Sequence, residues 1–167
     1  MKFAICSDVH DNVWALAKAL PQMEEADSLL FLGDFCAPFT LVQMAEGFSR
    51  PIHVVWGNND GDKWLLTTQA SRFDHVSLHG EMADLQIGGK RVAMNHYPNI
   101  ARALAASGSY DLVCYGHDHL AHDERIGSTR LFNPGELMGR LGASVFALYD
   151  LADGTFDRIE VLSDQAR

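Results

Sequence analysis

The chain has 167 residues, of which 47% are hydrophobic and 21% are charged. This length favours one domain over residues 1–167, and the composition is that of a globular protein, which excludes disordered and fibrous classes. Thirteen Lys and Arg residues against 22 Asp and Glu residues give a formal net charge of −9. Because this charge repels a long polyanion, we expect no long nucleic acid as a partner, whereas small phosphate compounds stay acceptable ligands.

The cysteines and the N-terminus indicate a cytoplasmic protein. Cys6, Cys36 and Cys114 are too far apart for a disulfide framework or a structural zinc site. The apolar run at the N-terminus is too short for the core of a signal peptide, and no run approaches the roughly 20 apolar residues that span a bilayer. We therefore expect a cytoplasmic location and no membrane partner. A homo-oligomer is suggested only by the general frequency of dimers.

The first half of the chain alternates strand and helix patterns. Continuous apolar runs predict strands over residues 2–7, 28–32 and 52–56. Apolar residues at helical spacing and turn residues predict helices over residues 13–25, 39–48 and 61–70. Because the strand runs are apolar throughout rather than alternating, we expect a sheet that is covered on both faces.

The second half is richer in strands and turns. Gly88-Gly89 predicts a tight hairpin between residues 82–87 and 91–95, since glycine adopts the positive φ that such turns need. A helix is predicted over residues 98–107, with Pro98 at its start, and a strand over residues 111–115. We expect the β-rich tail that follows to form the second sheet.

Small polar clusters follow the apolar strands. They are Asp8-Val9-His10, Gly33-Asp34, Gly57-Asn58-Asn59-Asp60, His96 and Gly116-His117-Asp118-His119. In α/β sheets the carboxyl ends of different strands line one crevice, so these side chains are expected to converge. In extended backbone, residues two apart point to the same side, which pairs Asp8 with His10 and His117 with His119 and turns Val9 and Asp118 away.

The chemistry of this set points to transition metals. Isolated His, Asn and Asp residues after strands are often only turn or cap residues, but their joint occurrence at several strand ends favours a shared site. A mixture of carboxylate, amide and imidazole suits Mn²⁺, Fe²⁺, Zn²⁺ or Ni²⁺ better than Ca²⁺ or Mg²⁺. Seven candidates fit two ions roughly 3.5–4 Å apart, bridged by a carboxylate and a hydroxide, an arrangement that serves phosphoester hydrolysis.

The ordered series Asp-x-His, Gly-Asp, Gly-Asn-x-Asp, His and Gly-His-x-His resembles the calcineurin-like metallophosphoesterase superfamily. With Asn133-Pro134-Gly135-Glu136, it is most similar to the small archaeal and bacterial phosphodiesterases of that superfamily. The resemblance implies an α/β fold, a four-layer αββα sandwich of two mixed β-sheets flanked by helices. It also implies a dinuclear metal centre.

The resemblance further implies a role for each residue of the series. It assigns Asp8, His10 and His119 to the first metal, Asn58, His96 and His117 to the second, and Asp34 to the bridge. It predicts a hydrolase, a phosphodiesterase rather than a phosphomonoesterase, that holds two divalent ions, with Mn favoured and Ni, Zn or Fe as alternatives. A hydroxide that bridges the ions would attack the phosphorus of a small phosphodiester or phosphate ester directly, with Asn58 and Asp34 as catalytic residues.

Two positions depart from the wider superfamily. Asn59 stands where many members have a histidine that helps to stabilise or protonate the leaving group. An amide is no acid near pH 7, so we predict weaker turnover of poor leaving groups. Tyr97 follows His96 in place of a commoner glycine and either shapes the pocket or packs over the loop.

Other polar residues have weaker signals. Asp60 either orients the Asn58 amide or caps the next helix, and Cys36 is interpreted as a buried inert thiol. Structural or solvent-facing roles are expected for the remaining histidines, which are His53, His75, His79 and His122.

Two other functions compete with the enzyme. A scaffold such as the retromer subunit that resembles these enzymes acts through protein contacts after losing ligand residues, whereas here every ligand position is filled. A redox or oxygen-activating di-iron protein is also compatible with this ligand mixture. Hydrolysis that is lost on replacing Asp34 or Asn58 with Ala would favour the enzyme.

Overall fold

The computed structural model describes residues 1–161, which contain eleven strands and four α-helices. The strands are β1 (Lys2–Cys6), β2 (Ser28–Phe31), β3 (Ile52–Val54), β4 (Val76–Leu78), β5 (Met82–Ile87), β6 (Lys90–Asn95), β7 (Leu112–Cys114), β8 (His122–Ile126), β9 (Thr129–Asn133), β10 (Val145–Asp150) and β11 (Phe156–Glu160). The helices are α1 (Val13–Ala19), α2 (Pro38–Gly47), α3 (Lys63–Ala70) and α4 (Pro98–Ala106). The first half therefore alternates β and α, and the part after α4 is rich in strands.

The strands form two mixed sheets. In the first, the order is β11-β10-β1-β2-β3-β4 and β1 to β4 are parallel. At one edge β10 pairs antiparallel with β1, and β11 pairs antiparallel with β10. In the second, the order is β5-β6-β7-β9-β8; β6, β7 and β9 are parallel, with an antiparallel strand at each edge. Two mixed sheets flanked by helices are the predicted fold class, which is confirmed.

The first sheet is buried on both faces, as its continuous apolar strands predict. In β1, Ala4 and Cys6 face helices α1 to α3, whereas Phe3 and Ile5 face the second sheet. Each large side chain that is fully buried in this way stabilises the fold by roughly 1.5–3 kcal/mol. The parallel strands are thus fixed between two apolar layers, which determines where their carboxyl ends lie.

The second sheet is covered in the same manner. Val92 and Met94 of β6 pack against the first sheet, and Ala93 between them packs against Ala101 and Ala105 of α4. The layers are therefore helices α1 to α3, the first sheet, the second sheet and helix α4. No helix in residues 1–161 has the length and apolar character that crossing a membrane requires.

Three details differ from the sequence expectations. The β-rich tail does not form the second sheet by itself, since β10 and β11 extend the first sheet by pairing beside β1. The helix predicted over residues 13–25 ends at Ala19 and continues as a 3₁₀ turn over Leu20–Met23, where Pro21 lacks the N–H that an α-helix uses. Strand β4, half-buried at a sheet edge, had no clear apolar run to predict it.

Candidate metal centre

The carboxyl ends of β1, β2, β6 and β7 meet at one edge of the two sheets. Backbone hydrogen bonds join the loops there, from Asp8 N–H to the Gly33 carbonyl at 3.1 Å and from Gly116 N–H to the His96 carbonyl at 3.1 Å. The convergence of the predicted site residues follows from this junction. The structure brings into one group, the seven-residue cluster, Asp8, His10, Asp34, Asn58, His96, His117 and His119.

Three residues form one side of the cluster. Asp8 Oδ1 lies 3.7 Å from His10 Nε2 and 3.5 Å from His119 Nε2. The two imidazole rings stack with their centroids 5.1 Å apart. These ligand atoms lie close enough together for one metal ion to contact all three.

Three other residues form the opposite side. Asn58 Oδ1 lies 3.1 Å from His96 Nε2 and 2.8 Å from His117 Nδ1. The rings of His96 and His117 are 5.1 Å apart in an edge arrangement. An amide oxygen and two imidazole nitrogens thus converge on a second point.

Asp34 lies between the two sides. Its Oδ2 is 3.5 Å from His10 Nε2 and 3.4 Å from His96 Nε2, one histidine from each side. Asn59 donates to this carboxylate twice, from its backbone N–H and from Nδ2, both at 2.8 Å. Burial alone would raise the pKa of Asp34, but His96 and Asn59 outweigh it and lower the pKa to about 2, so the carboxylate is ionised at neutral pH.

Two orphaned atoms show that the cluster fits metal ions. Within residues 1–161, the buried side-chain polar atoms without a hydrogen-bond partner are Asp8 Oδ1 and His10 Nε2, and both point into the cluster. A buried polar atom without a partner is destabilising by about 1–3 kcal/mol. A divalent ion would supply the missing partner to both atoms, and the oxygen and imidazole donors suit first-row transition metals.

The backbone of the site differs from the extended conformation expected from the sequence. Within residues 1–161, the non-glycine residues with positive φ all lie in the site loops, and they are Asp8, His10, Asp11, Asp34, Cys36, His117 and His119. The backbone at these residues is therefore not extended, and the expectation that extended backbone turns residues two apart to the same side was wrong. Asp8 and His10 do approach each other, but His117 and His119 turn to opposite sides of the cluster. Such conformations concentrate at functional sites, where the surroundings hold them in place.

Glycines at the strand ends allow the loops to approach closely. A Cβ on Gly57 would overlap the Asp34 carboxylate, and a Cβ on Gly116 would overlap the Ser7 hydroxyl. The glycine before Asn58 and the glycine before His117 are therefore required by this close packing, which leaves no room for a side chain.

Glu136 supports His119 from outside the cluster. The Glu136 carboxylate is buried and lies 2.5 Å from His119 Nδ1, and it accepts backbone N–H groups of Leu141 and Gly142. Burial alone would raise the pKa of Glu136, but these hydrogen bonds lower it, so it accepts the imidazole proton as an anion. The sequence motif contained Glu136 but assigned it no role, because nothing in the spacing shows that it reaches His119.

Two more contacts orient cluster residues. The Leu32 carbonyl lies 2.7 Å from His96 Nδ1, which turns Nε2 into the cluster. The Ser7 hydroxyl donates to Asp8 Oδ2 at 2.6 Å, which leaves Asp8 Oδ1 facing the histidines. These partners fix the donor atoms before any ion binds.

Neither role expected for Asp60 describes its contacts. Its carboxylate accepts the backbone N–H groups of Gly57, Asp34 and Cys36 at 2.7, 3.1 and 2.9 Å. Helix α3 is capped instead by Asp62, whose Oδ1 accepts the N–H of Leu65 at 2.9 Å. Asp60 thus connects two site loops by binding their backbone N–H groups. Contacts to the backbone leave no pattern of residue types, so the sequence could not predict them.

Cys36 and Tyr97 border the cluster. Cys36 Sγ lies 3.6 Å from His10 Nδ1, and the residue is half-buried rather than buried as expected. Partial burial together with nearby carboxylates raises the pKa of the thiol to about 12, so it stays protonated. The Tyr97 ring is half-buried with its centroid 5.3 Å from His96 and 5.2 Å from His117. It covers both rings.

The remaining histidines lie away from the cluster. His75 contacts the Ala45 carbonyl, and His122 contacts the Tyr115 hydroxyl. His53 and His79, which showed no paired spacing, form a half-buried pair with 3.0 Å between Nδ1 and Nε2. Their contacts are those of structural side chains, as expected.

Comparisons with known proteins identify the family of the chain. The family model described as the calcineurin-like phosphoesterase superfamily domain matches residues 1–154. Phosphodiesterase MJ0936 of Methanocaldococcus jannaschii is 28% identical over 145 residues, which are 84% of this chain and 87% of that protein.

Solved structures share the fold. A structure described as a novel archaeal phosphodiesterase superposes with a TM-score of 0.88 at 25% identity, covering 96% of this chain and 99% of its own. Vacuolar protein sorting 29 from Cryptosporidium parvum superposes with a TM-score of 0.67 at 15% identity over 95% of each chain, which is a likeness of fold alone. The extent of the family match decides the assignment: the chain belongs to the calcineurin-like phosphoesterase superfamily.

Proposed function

We propose that this protein is a metal-dependent phosphodiesterase that hydrolyses small phosphodiesters at the seven-residue cluster. The observation that carries the proposal is the pair of orphaned buried atoms, Asp8 Oδ1 and His10 Nε2, in a group of carboxylate, amide and imidazole donors. The similarity to Phosphodiesterase MJ0936 supports a diester as the substrate.

The cluster would hold two divalent ions. Asp8, His10 and His119 would bind the first ion, and Asp34 would bridge to the second. The second ion would be held by the remaining members, which are Asn58, His96 and His117. Mn²⁺ is the proposed ion, with Ni²⁺, Zn²⁺ and Fe²⁺ as alternatives that the same donors accept. When bound, such a pair would supply a hydroxide at neutral pH and positive charge for the phosphoryl oxygens, chemistry that needs no covalent enzyme intermediate.

The protein residues prepare this chemistry by orientation. Glu136 and the Leu32 carbonyl accept the Nδ1 protons of His119 and His96, so both rings turn Nε2 into the cluster. Because Asn58 Oδ1 faces two imidazoles, its Nδ2 is the group that can donate to a phosphoryl oxygen and stabilise charge there. These contacts need little rearrangement during the reaction.

Asn59 stands at the position of the missing acid and has another task. Its two hydrogen bonds hold the Asp34 carboxylate in place. An amide donates no proton to a leaving group near pH 7, so the leaving group must depart as the anion. We therefore propose that diesters with good leaving groups react fastest.

The test is hydrolysis of bis-p-nitrophenyl phosphate and of p-nitrophenyl phosphate. Chelator-stripped protein is reconstituted separately with Mn²⁺, Ni²⁺, Zn²⁺ and Mg²⁺, and Asn58→Ala is compared with Asn99→Ala, which removes an exposed amide outside the cluster. We expect metal-dependent diester cleavage that is lost only in Asn58→Ala. Metal binding without cleavage of either compound would contradict the proposal.

A scaffold for protein partners is the second candidate, and the likeness of fold to vacuolar protein sorting 29 favours it. The filled ligand positions favour the enzyme instead. The assay separates the two candidates, because a scaffold has no need of turnover.

A further inference from the structure

The exposed hydrophobic side chains are concentrated at the end of the fold that carries the seven-residue cluster. Apart from Met1, the large hydrophobic residues that are exposed in residues 1–161 lie in its loops or in the helix turns that follow them. We name this group the apolar rim. Its members, which are 45% to 77% exposed, are Trp14, Phe39, Trp64, Ile100, Leu120 and Leu141. Single exposed apolar residues are ordinary in a soluble protein, but their restriction to one end of the fold marks a binding surface.

Four members of the apolar rim stand in the first turn of a helix. Trp14, Phe39 and Trp64 are the second residues of α1, α2 and α3, and Ile100 is the third residue of α4. Each helix begins after a loop that carries a residue of the cluster. Its first turn therefore lies at the edge of the sheet where the strands end.

The other two members are close to His119. Leu120 follows His119 directly in the chain. The backbone N–H of Leu141 donates at 2.6 Å to the Glu136 carboxylate, which in turn contacts His119. Both leucines are thus connected to the side of the cluster that contains His119.

Hydrogen bonds hold the loops of the apolar rim together. Asn12 Nδ2 donates to the Met138 carbonyl at 2.8 Å, which joins the start of α1 to the segment before Leu141. Asp11 Oδ1 accepts the Ala37 N–H at 2.9 Å and the Thr40 hydroxyl at 2.6 Å, on either side of Phe39. The segments that carry Trp14, Phe39 and Leu141 are therefore joined to one another.

We propose that the apolar rim binds the organic groups of the phosphodiester and selects diesters with planar aromatic ester groups. The proposal rests on the proposed function. The ester groups of a diester whose phosphorus lies at the cluster would extend toward the loops and helix starts that carry the rim residues. Three of the six members are aromatic and offer ring faces to a planar group. A small hydrophilic ester group would leave these side chains in water, and the net charge of −9 disfavours an anionic membrane or a long nucleic acid as the occupant.

The test compares two diesters that share one leaving group. In bis-p-nitrophenyl phosphate the second ester group is aromatic, and in methyl p-nitrophenyl phosphate it is a methyl group. For the manganese-loaded wild-type protein we expect a KM that is about two- to tenfold lower for the aromatic diester. Trp14→Ser and Trp64→Ser are expected to remove this difference in KM with kcat unchanged, because the rim does not touch the reacting atoms. Trp14→Phe and Trp64→Phe, the matched controls, keep it.

A binding measurement is independent of turnover. In isothermal titration calorimetry, diphenyl phosphate should bind the manganese-loaded protein more tightly than dimethyl phosphate, and the serine variants should lose the difference. Equal affinities for the two phosphates, or serine variants that keep the wild-type preference, would overturn the proposed role of the apolar rim even if diester hydrolysis proceeds. If the protein prefers diphenyl phosphate but hydrolyses no diester, the proposed function is overturned, whereas the binding of aromatic groups by the apolar rim is supported. A wild-type protein that dimerises through Trp14 and shows no aromatic preference would identify a second copy as the occupant and overturn the proposal.

Discussion

Two groups of histidines lie close together in this fold, and only one has the donors of a metal site. In the seven-residue cluster, four imidazoles converge with two carboxylates and an amide. His53 and His79 are as close to each other, at 3.0 Å, but within residues 1–161 neither belongs to a group of three acidic, cysteine or histidine side chains that could share an ion. Proximity of imidazoles therefore does not make a metal site.

The neighbouring charges explain the difference. Asp8 raises the pKa of His10 against the opposing effect of burial, because a carboxylate favours positive charge beside it. Burial lowers the pKa of His53, with a contribution from His79, and burial also lowers the pKa of His79. Protonation is therefore favoured at His10 and disfavoured at His53 and His79.

The largest effect is expected from removing the carboxylate between the two sides of the cluster. Asp34→Ala should lower diester hydrolysis by at least about 10³-fold, since metal ions supply several kcal/mol of charge stabilisation. Metal content and bis-p-nitrophenyl phosphate turnover measure the loss, with circular dichroism to verify the fold. His53→Ala, in the other histidine group, is the control and should keep its turnover. Normal turnover by metal-loaded Asp34→Ala would defeat the bridging role of Asp34.

A smaller effect is expected at the carboxylate behind His119. Glu136→Gln keeps the shape but removes the charge, so metal affinity should fall by about 10- to 100-fold, as is typical for partners of metal-bound histidines. The matched control is Glu124→Gln, because Glu124 lies 3.6 Å from His122 on the surface, away from the cluster. Manganese titration of both variants measures the difference. Equal affinities in the two variants would show that Glu136 does not orient a ligand.

The smallest effect concerns pH in the metal-free protein. The folded-state pKa values of His53 and His79 lie below the usual 6.5, so their stabilising contribution is present above pH 6.5 and is lost as the pH falls through those values. The pKa of His10 lies above 6.5, so its contribution is present below pH 6.5 and is lost as the pH rises through that value.

Histidine NMR titration measures both groups, and urea unfolding of His53→Gln should be less sensitive to acid than that of the wild-type protein. A His79 resonance that titrates above that of His10 would contradict the electrostatic distinction between the two groups.

Local sequence signals were sufficient for most elements of the fold. Apolar runs and turn residues predicted the strands β1, β2 and β3 and the approximate positions of the four helices. They did not predict that β10 and β11 join the first sheet, because pairing between β1 and β10 depends on contacts across more than half of the chain. No local pattern carries that information.

The sequence predicted which residues form the candidate site, but it did not predict their backbone conformation or the contacts that hold them. Residue types after strands, together with the family resemblance, predicted seven side chains that the structure brings together. The left-handed backbone at Asp8 and His117 was not predicted, since non-glycine residues seldom adopt it without tertiary constraint. The contact of Glu136 with His119 and the hydrogen bonds from Asn59 to Asp34 join separate loops. Spacing in the sequence does not encode the distances between those loops.

Anomalous diffraction from crystals of the manganese-loaded protein tests the central claim most directly. We expect two peaks roughly 3.5–4 Å apart, with Asp34 between them. One peak should contact Asp8, His10 and His119, and the other should contact the Asn58 side of the cluster. A single peak, or peaks that avoid the cluster, would contradict the account.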